Sequence, residues 1–340
     1  MVLRTIGILT LVTIAAMLVA GCGGSSATGP GTAIIGPAGG RLEAGGLIVD
    51  FPPGALPADF TILVTPLSAG QVPAPPDGLA VISAARFEPA GLQFLLPVTI
   101  TFPLSARLPA GQTLTLYELQ NNTWQDSGFN AVVSADRRTA AAEVSHFSIY
   151  AIFGDYAPLA VGASWTYHWI LQTTPAGGAP NPPESGTVTA TITGTEEVGG
   201  LTTFVWSESA PSNVTLWLHR TDAAPYELLL AAVQMASEAQ EVLDPPARLL
   251  SLPPIAGQTW EVASVMDVTA TATVSAETIT VGSVEYDTMK VHIAPPDLAL
   301  GYLDIWYAPN VGIVKRKAAE VDPGVITTVI EMDLQSYSLP

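Results

Sequence analysis

The sequence predicts an all-β protein: an N-terminal antiparallel β-sandwich followed by a C-terminal curved antiparallel sheet or half-barrel. Three observations carry this. Short β-branched runs recur along the chain, separated by turn chemistry drawn from 30 Gly and 29 Pro. The first half contains no stretch that keeps a helical period for three turns. In the second half two threonine-rich runs, Thr187–Thr193 and Val268–Val274, alternate apolar and polar residues as half-buried strands do.

In the first half the clearest strands are Leu47–Val49, Phe60–Val64, Val98–Phe102 and Leu114–Tyr117. Pro52-Pro53-Gly54 restricts φ and then permits a reversal, so it reads as a corner after a strand, with Ala55-Leu56 folding back onto the core. Gly154-Asp155-Tyr156-Ala157-Pro158 reads as a short polar hinge, which places the domain boundary at residue 154. Beyond it the strand runs are Ser164–Leu171, Gly186–Thr193, Thr202–Ser207, Val214–His219, Trp260–Thr273, Ala276–Val281, Thr288–Ile293, Gly301–Tyr307, Gly312–Arg316 and Val325–Leu334. Residues 172–185 form a long Pro/Gly-rich connection. Tyr226–Leu243 has helical propensity but strand neighbours, and is read as a strand followed by a loop.

Composition removes several classes of function. The 340 residues carry 12 Lys+Arg against 30 Asp+Glu, a formal charge of -18. So few cations cannot neutralise a phosphate backbone, which argues against nucleic-acid binding. A single Cys excludes a disulfide scaffold, and 48% hydrophobic residues argue against disorder. The acidity is uneven: residues 22–153 hold 9 acidic and 5 basic side chains, whereas residues 154–340 hold 21 and 6. It reads as a solvated surface that opposes aggregation.

The amino terminus has a separate character. Arg4 precedes an apolar stretch from Ile6 to Ala20, about 15 residues, shorter than the ~20 that span a bilayer and typical of a secretory core. It ends in Leu18-Val19-Ala20-Gly21-Cys22, which resembles the lipobox of bacterial lipoproteins. The resemblance implies that residues 1–21 are a signal peptide and that Cys22 is acylated. The acyl chains would anchor the protein at ~0.8 kcal/mol per buried CH₂. Residues 22–33 then read as a flexible Gly/Ser tether. Gly23, not Asp, follows the cysteine, which by the sorting habit of such lipoproteins permits an outer-membrane or cell-surface destination.

Gly39-Gly40, the block Phe51-Pro52-Pro53-Gly54-Ala55-Leu56-Pro57, Phe94 through Ile100, and Val144-Ser145-His146-Phe147-Ser148 with Tyr150 together resemble a ZU-five domain. That domain is shared by zonula occludens scaffolds, netrin receptors and ankyrins. The resemblance covers residues 34–153 and implies a β-sandwich that mediates protein contacts or passes force. It also draws attention to His146-Phe147-Ser148, since some relatives cut themselves between the Phe and Ser of a matching triplet. That step needs a general base near the Ser148 hydroxyl, with His146 as the candidate, and donors for the oxyanion. The plainer reading is a terminal strand in which Phe147 and Ile149 point one way and His146 and Ser148 the other.

Residues 154–340 are similar to an uncharacterised bacterial extracytoplasmic domain. The similarity rests on Trp165-Thr166-Tyr167, Gly257-Gln258-Thr259-Trp260 and, most specifically, Trp306-Tyr307-Ala308-Pro309-Asn310-Val311-Gly312-Ile313-Val314-Lys315. It implies no activity. Trp165, Trp169, Trp206, Trp217, Trp260 and Trp306, six of the seven tryptophans, lie in this half. They read first as core packing and second as the wall of a site for a lipid or other hydrophobic ligand.

Searches for catalytic chemistry come back empty. His146, His168, His219 and His292 are scattered without a zinc spacing, and no Gly-x-Ser-x-Gly elbow, P-loop, dinucleotide fingerprint or calcium loop is present. Glu196-Glu197 beside Gly199-Gly200 reads as a solvated hairpin turn. The sequence therefore leads to a lipid-anchored envelope protein, extracytoplasmic and non-enzymatic, with no metal and no cofactor. Its partners would be the membrane through Cys22, and an envelope protein or hydrophobic ligand.

Overall fold

The computed structural model describes residues 29–262, 270–295, 301–322 and 326–340. The proposed signal peptide, Cys22 and most of the tether lie outside these residues. The described chain folds into two antiparallel sheets.

The first sheet contains β1 (Gly31–Ile35), β2 (Gly40–Ala44), β3 (Leu47–Phe51), β4 (Phe60–Pro66) and β5 (Ala80–Glu88). It continues with β6 (Gln93–Pro103), β7 (Thr113–Gln120), β8 (Thr123–Val133), β9 (Thr139–His146) and β10 (Ile149–Gly154). Its spatial order is β1-β4-β5-β10-β7-β8-β9-β6-β3-β2, and a bridge between Gly36 and Gly39 draws the two end strands together. The sheet therefore wraps around one core.

At the centre of that core Phe147 stacks on Phe87 at 5.4 Å and meets Phe94 edge-on at 4.9 Å and Phe51 at 5.9 Å. The Pro-Pro-Gly corner forms as the residue types require. Gly54 takes φ +85°, Ala55 N–H donates to the Pro52 carbonyl, and Ala55 and Leu56 are buried. One correction concerns the tether, which ends earlier than residue 33. Gly31, Thr32 and Ala33 pair with Val64, Leu63 and Ile62, because β4 offers them an unpaired edge.

The second sheet contains β11 (Ser164–Pro175), β12 (Glu184–Val198), β13 (Leu201–Glu208), β14 (Val214–Arg220), β15 (Glu227–Met235) and β16 (Glu241–Ser251). It is completed by β17 (Thr259–Val262), β18 (Ala270–Val281), β19 (Val284–Ala294), β20 (Gly301–Ala308), β21 (Gly312–Asp322) and β22 (Ile326–Ser338). Six strands meander outward from β11 to β16; the other six return from β17 to β22, which pairs with β11. The two free ends approach each other where Trp260 Nε1 donates to the Arg248 carbonyl at 3.0 Å and the guanidinium covers the indole. The result is a curved sheet closed to a seam.

Several local expectations need adjustment. The run read over 260–273 is a hairpin, since Trp260 pairs with Ala272; residues 263–269 lie outside the described chain. Period-two alternation continues through a reversal, so it does not reveal one. The connection read over 172–185 is shorter, with β11 reaching Pro175 and β12 starting at Glu184. Residues 226–243 form β15, a turn and the start of β16.

Gly154–Pro158 is a packed joint rather than a polar hinge. Tyr156 and Ala157 are buried in the second core. Asp155 accepts from Arg220 Nη1 at 2.7 Å, and Arg220 Nη2 donates to the Asp77 carbonyl of the first half at 2.6 Å. On another side Arg107 Nη1 meets Asp287 at 2.7 Å, Arg138 Nη1 reaches the same carboxylate at 3.1 Å, and Arg137 Nη1 donates to the Glu285 carbonyl at 2.6 Å. Three of the five basic residues of the first half thus face acidic groups or carbonyls of the second. The charge imbalance has a structural use at this junction.

Candidate functional site: an apolar trough over a buried ion pair

The interior of the second sheet follows from alternation and register. On β11, Trp165, Tyr167, Trp169 and Leu171 share one face, opposite Ala190, Val188, Gly186 and Glu184 of β12. On the other side of β11, β22 contributes Leu334, Met332 and Ile330. At one end this interior is filled. Trp165 and Trp206 stack at 4.9 Å, Trp165 Nε1 donates to the Val311 carbonyl at 2.7 Å, and the Tyr167 hydroxyl donates to the Ile313 carbonyl at 3.0 Å.

At the other end lies a trough of about 410 Å³ whose wall is mostly apolar, with Trp169, Leu171, Val188, Ile330 and Met332, but which also carries the carboxylates of Glu208 and the exposed Glu184. That volume lies within the range of small-molecule sites, roughly 300–1,000 Å³. Gly186 shapes the wall. A Cβ there would fall 2.9 Å from Trp169 Cζ2, so only glycine lets the indole lie against β12.

A charge pair sits in this apolar interior. Glu208 Oε1 accepts from Arg316 Nη2 at 2.6 Å and from Trp206 Nε1 at 3.2 Å, and Oε2 accepts from Ser212 Oγ at 2.6 Å. The side chains are only 4% and 18% exposed for Glu208 and Arg316. Burial pushes the Glu208 carboxyl up, but Arg316 and the donors from Ser212 and Trp206 outweigh it and hold the pKa below the usual range. The guanidinium also lies 5.3 Å over the Tyr167 ring. The two phenols packed near it, Tyr167 and Tyr307, are pushed far up by burial.

Neither member of the pair was identified from sequence. A signal was present, since Trp206-x-Glu208 and Val314-x-Arg316 each place a charge where the alternation calls for an inward apolar residue. Of the six tryptophans considered for a ligand wall, Trp169 alone lines this trough. Trp165 and Trp206 fill the core, and Trp217 packs on the opposite face with Val198 and Val205 while donating to Glu196 at 2.7 Å. Trp260 closes the seam, and Lys290 and Lys315 cover Trp306.

His146, Phe147 and Ser148 do come together, around Glu118. His146 Nε2 lies 3.4 Å from that carboxylate, and Gln120 Nε2 donates to it at 3.2 Å. Burial raises the Glu118 pKa, but the Ser148 and Gln120 hydrogen bonds and His146 leave it below the ordinary value. The Phe147 carbonyl accepts from Gly91 N–H at 2.9 Å and the Ser148 carbonyl from Phe87 N–H at 3.0 Å.

The triplet is not a continuous strand. Phe147 and Ser148 form the break between β9 and β10. Phe147 and Tyr150 therefore both enter the core, and Ile149 packs on the other side with Trp124 and Phe153. The expected two-face alternation ends at His146.

Among the described residues no cluster of His, Cys, Asp and Glu is arranged to hold a metal ion, and no helix is long and apolar enough to cross a membrane. No family model and no curated protein matches the chain. Among solved structures it is similar to a protein described as exported and of YmcC-like fold from Bacteroides fragilis. The identity is 13% over 55% of this chain and 100% of that one, with a TM-score of 0.29. It is also similar to a protein described as a lipoprotein from Parabacteroides distasonis, at 13% identity over 54% of this chain and 99% of that one, with a TM-score of 0.27.

Proposed function

We propose that this chain is a lipid-anchored, extracytoplasmic envelope protein with a non-enzymatic binding role, in which the trough of the second sheet receives a hydrophobic molecule. The reading divides the mature chain into a short tether that ends before Gly31 and two folded units, 31–153 and 154–340. The observation that carries it is the apolar trough lined by Trp169, Leu171, Val188, Ile330 and Met332, in a half whose other tryptophans are committed to packing. Anchoring is supported by the apolar leader and by the placement of the one Cys of the chain at residue 22.

Two experiments test the proposal. Extraction and native mass spectrometry of protein purified without detergent should find a co-purifying apolar molecule, or uptake of an added one. Clean apo protein that takes up neither dye nor lipid contradicts it. For the anchor, metabolic labelling with fatty acid should mark the parent and not Cys22→Ser. Equal labelling, or membrane retention of the variant, contradicts it.

The His146-Phe147-Ser148 corner has a structural role in this proposal. One backbone donor, Gly91 N–H, reaches the carbonyl that self-cleavage would attack, and the Phe147 side chain is packed at the centre of the first core. A single band at the mature mass on a denaturing gel is expected.

A further inference from the structure

The two ends of the first sheet differ in kind. Its pairings are all antiparallel, so the connections β4–β5, β6–β7 and β8–β9 lie at one end and β1–β2, β3–β4 and β5–β6 at the other. The second unit takes the first of these ends, through Asp77, Arg107, Arg137 and Arg138. The other end points away from it.

That far end is apolar and uncharged. Residues 36–40, 51–58 and 89–100 contain neither an acidic nor a basic side chain, and Asp59 and Glu88 stand only where these stretches stop. Backbone bonds join the three into one surface: Gly54 N–H donates to the Pro37 carbonyl at 2.8 Å, and Leu95 N–H to the Ala55 carbonyl at 2.9 Å. Leu95 and Leu96 stand 68% and 45% exposed on it, beside the exposed Pro37, Pro53, Pro57 and Pro97. A regular strand would turn one of two consecutive leucines inward. Here the ladder of β6 with β9 skips from Gln93 to Val98, and the irregularity leaves both facing out.

We infer, resting on the anchor reading above, that this end is a membrane-docking tip whose leucines and prolines rest in the interfacial layer of the bilayer that holds Cys22. The length of the tether permits it. Gly31 opens β1 at the opposite end, about 13 Å from Ile35 at the rise of a strand, whereas residues 22–30 reach roughly 30 Å when extended. The tether can run back along β1 and set Cys22 level with the tip. Held within that reach, an apolar patch meets lipid at high effective concentration. Charge selects the same orientation. The tip brings no charge to be desolvated, while the half with 21 acidic and 6 basic side chains is held at the far end, away from an anionic surface.

The acylated protein, reconstituted in vesicles of phosphatidylethanolamine and phosphatidylglycerol, tests this. With the one native Cys occupied by lipid, Ala38→Cys at the tip or Ser237→Cys in the β15–β16 turn takes a single environment-sensitive fluorophore. The label at Ala38→Cys should shift to shorter wavelength on reconstitution and be quenched by lipids spin-labelled near the headgroup. The label at Ser237→Cys should do neither. Adding Leu95→Asp/Leu96→Asp to Ala38→Cys should abolish both changes while the protein still floats with the vesicles and unfolds at the parent temperature, since both leucines are exposed.

Protein that floats with the vesicles while its two labels behave alike overturns the inference and leaves the anchor reading standing. So does a shift that survives the double substitution. A shift that appears in the Cys22→Ser form without vesicles, and grows with protein concentration, assigns the tip to a second copy of the chain and also overturns the inference. Protein that does not float with the vesicles overturns the anchor reading itself.

Discussion

Arg316→Met isolates the energetics of the site. It keeps the length of the side chain's apolar stem and removes the charge opposite Glu208, which is 4% exposed and retains only its Trp206 and Ser212 donors. Stripping one partner from a buried ion pair costs about 3–5 kcal/mol. At roughly 2–4 °C per kcal/mol for a unit of this size, the expected fall in Tm is about 6–20 °C.

The cost depends on pH in a definite direction. In the parent, the Glu208 pKa is held below its unfolded value, so its contribution is present above about pH 4.3 and is lost only as pH falls through the lower folded value. Without Arg316, burial dominates and raises the folded pKa. The variant's deficit is then largest near pH 7.5, and it shrinks as acid protonates the carboxyl in the folded state. Urea unfolding followed by tryptophan fluorescence reports this half, which holds six of the seven tryptophans. Arg316→Met/Glu208→Gln should recover most of the loss, because no buried charge remains. A single variant within about 1 kcal/mol of the parent refutes the reasoning. So does a double variant as unstable as the single, or a deficit that is equal at pH 7.5 and pH 4.5.

Other expectations follow from the same geometry. Asp287→Ala removes the acceptor shared by Arg107, Arg138 and Thr278 and should cost about 1–3 kcal/mol by thermal unfolding. Burial opposes but does not cancel the bonds that lower the Asp287 pKa, so the gap between parent and variant should close as pH falls from about 4 through the lower folded value. Gly78→Ala places a Cβ 2.6 Å from Tyr226 Cβ at a residue of φ +71°, and should lower stability by about 1–3 kcal/mol while separating the unfolding of the two halves in calorimetry. Ser148→Ala should change stability by no more than about 1 kcal/mol and leave the mass on a denaturing gel unchanged; a parent that runs as two fragments, restored to one by the variant, would show that the corner cleaves itself.

Much of the fold is legible in the residues, for a simple reason. A strand half-buried on a sheet writes its period into the side chains, and Val188, Ala190 and Ile192 face inward between threonines as that period requires. Tight turns are legible as well: Gly199-Gly200, both at positive φ, join β12 to β13 where Val198 pairs with Leu201. Alternation does not record where a strand changes partners. At Phe147-Ser148 the chain leaves β6 and β8 for β5 and β7, and two residues outside either ladder shift the parity so that Phe147 and Tyr150 share a core.

The trough is less legible than the strands around it. Trp169 and Gly186 are 17 positions apart, and only the register of β11 on β12 sets one against the other. Glu208 and Arg316 are 108 positions apart, and their pairing across the interior depends on β12, β11 and β22 lying between their strands in the sheet. The apolar run before Cys22, by contrast, is visible in the letters alone, because a short-range pattern needs no partner strand to be read.

The most direct measurement is photolabelling of the purified protein with a small apolar diazirine, with the labelled peptides mapped by mass spectrometry. The account predicts labels concentrated on the peptides that carry Trp169–Leu171, Val214 and Ile330–Met332, and their loss when an unlabelled apolar competitor is present in excess. Labels spread evenly over the surface, or confined to the first sheet, would contradict it.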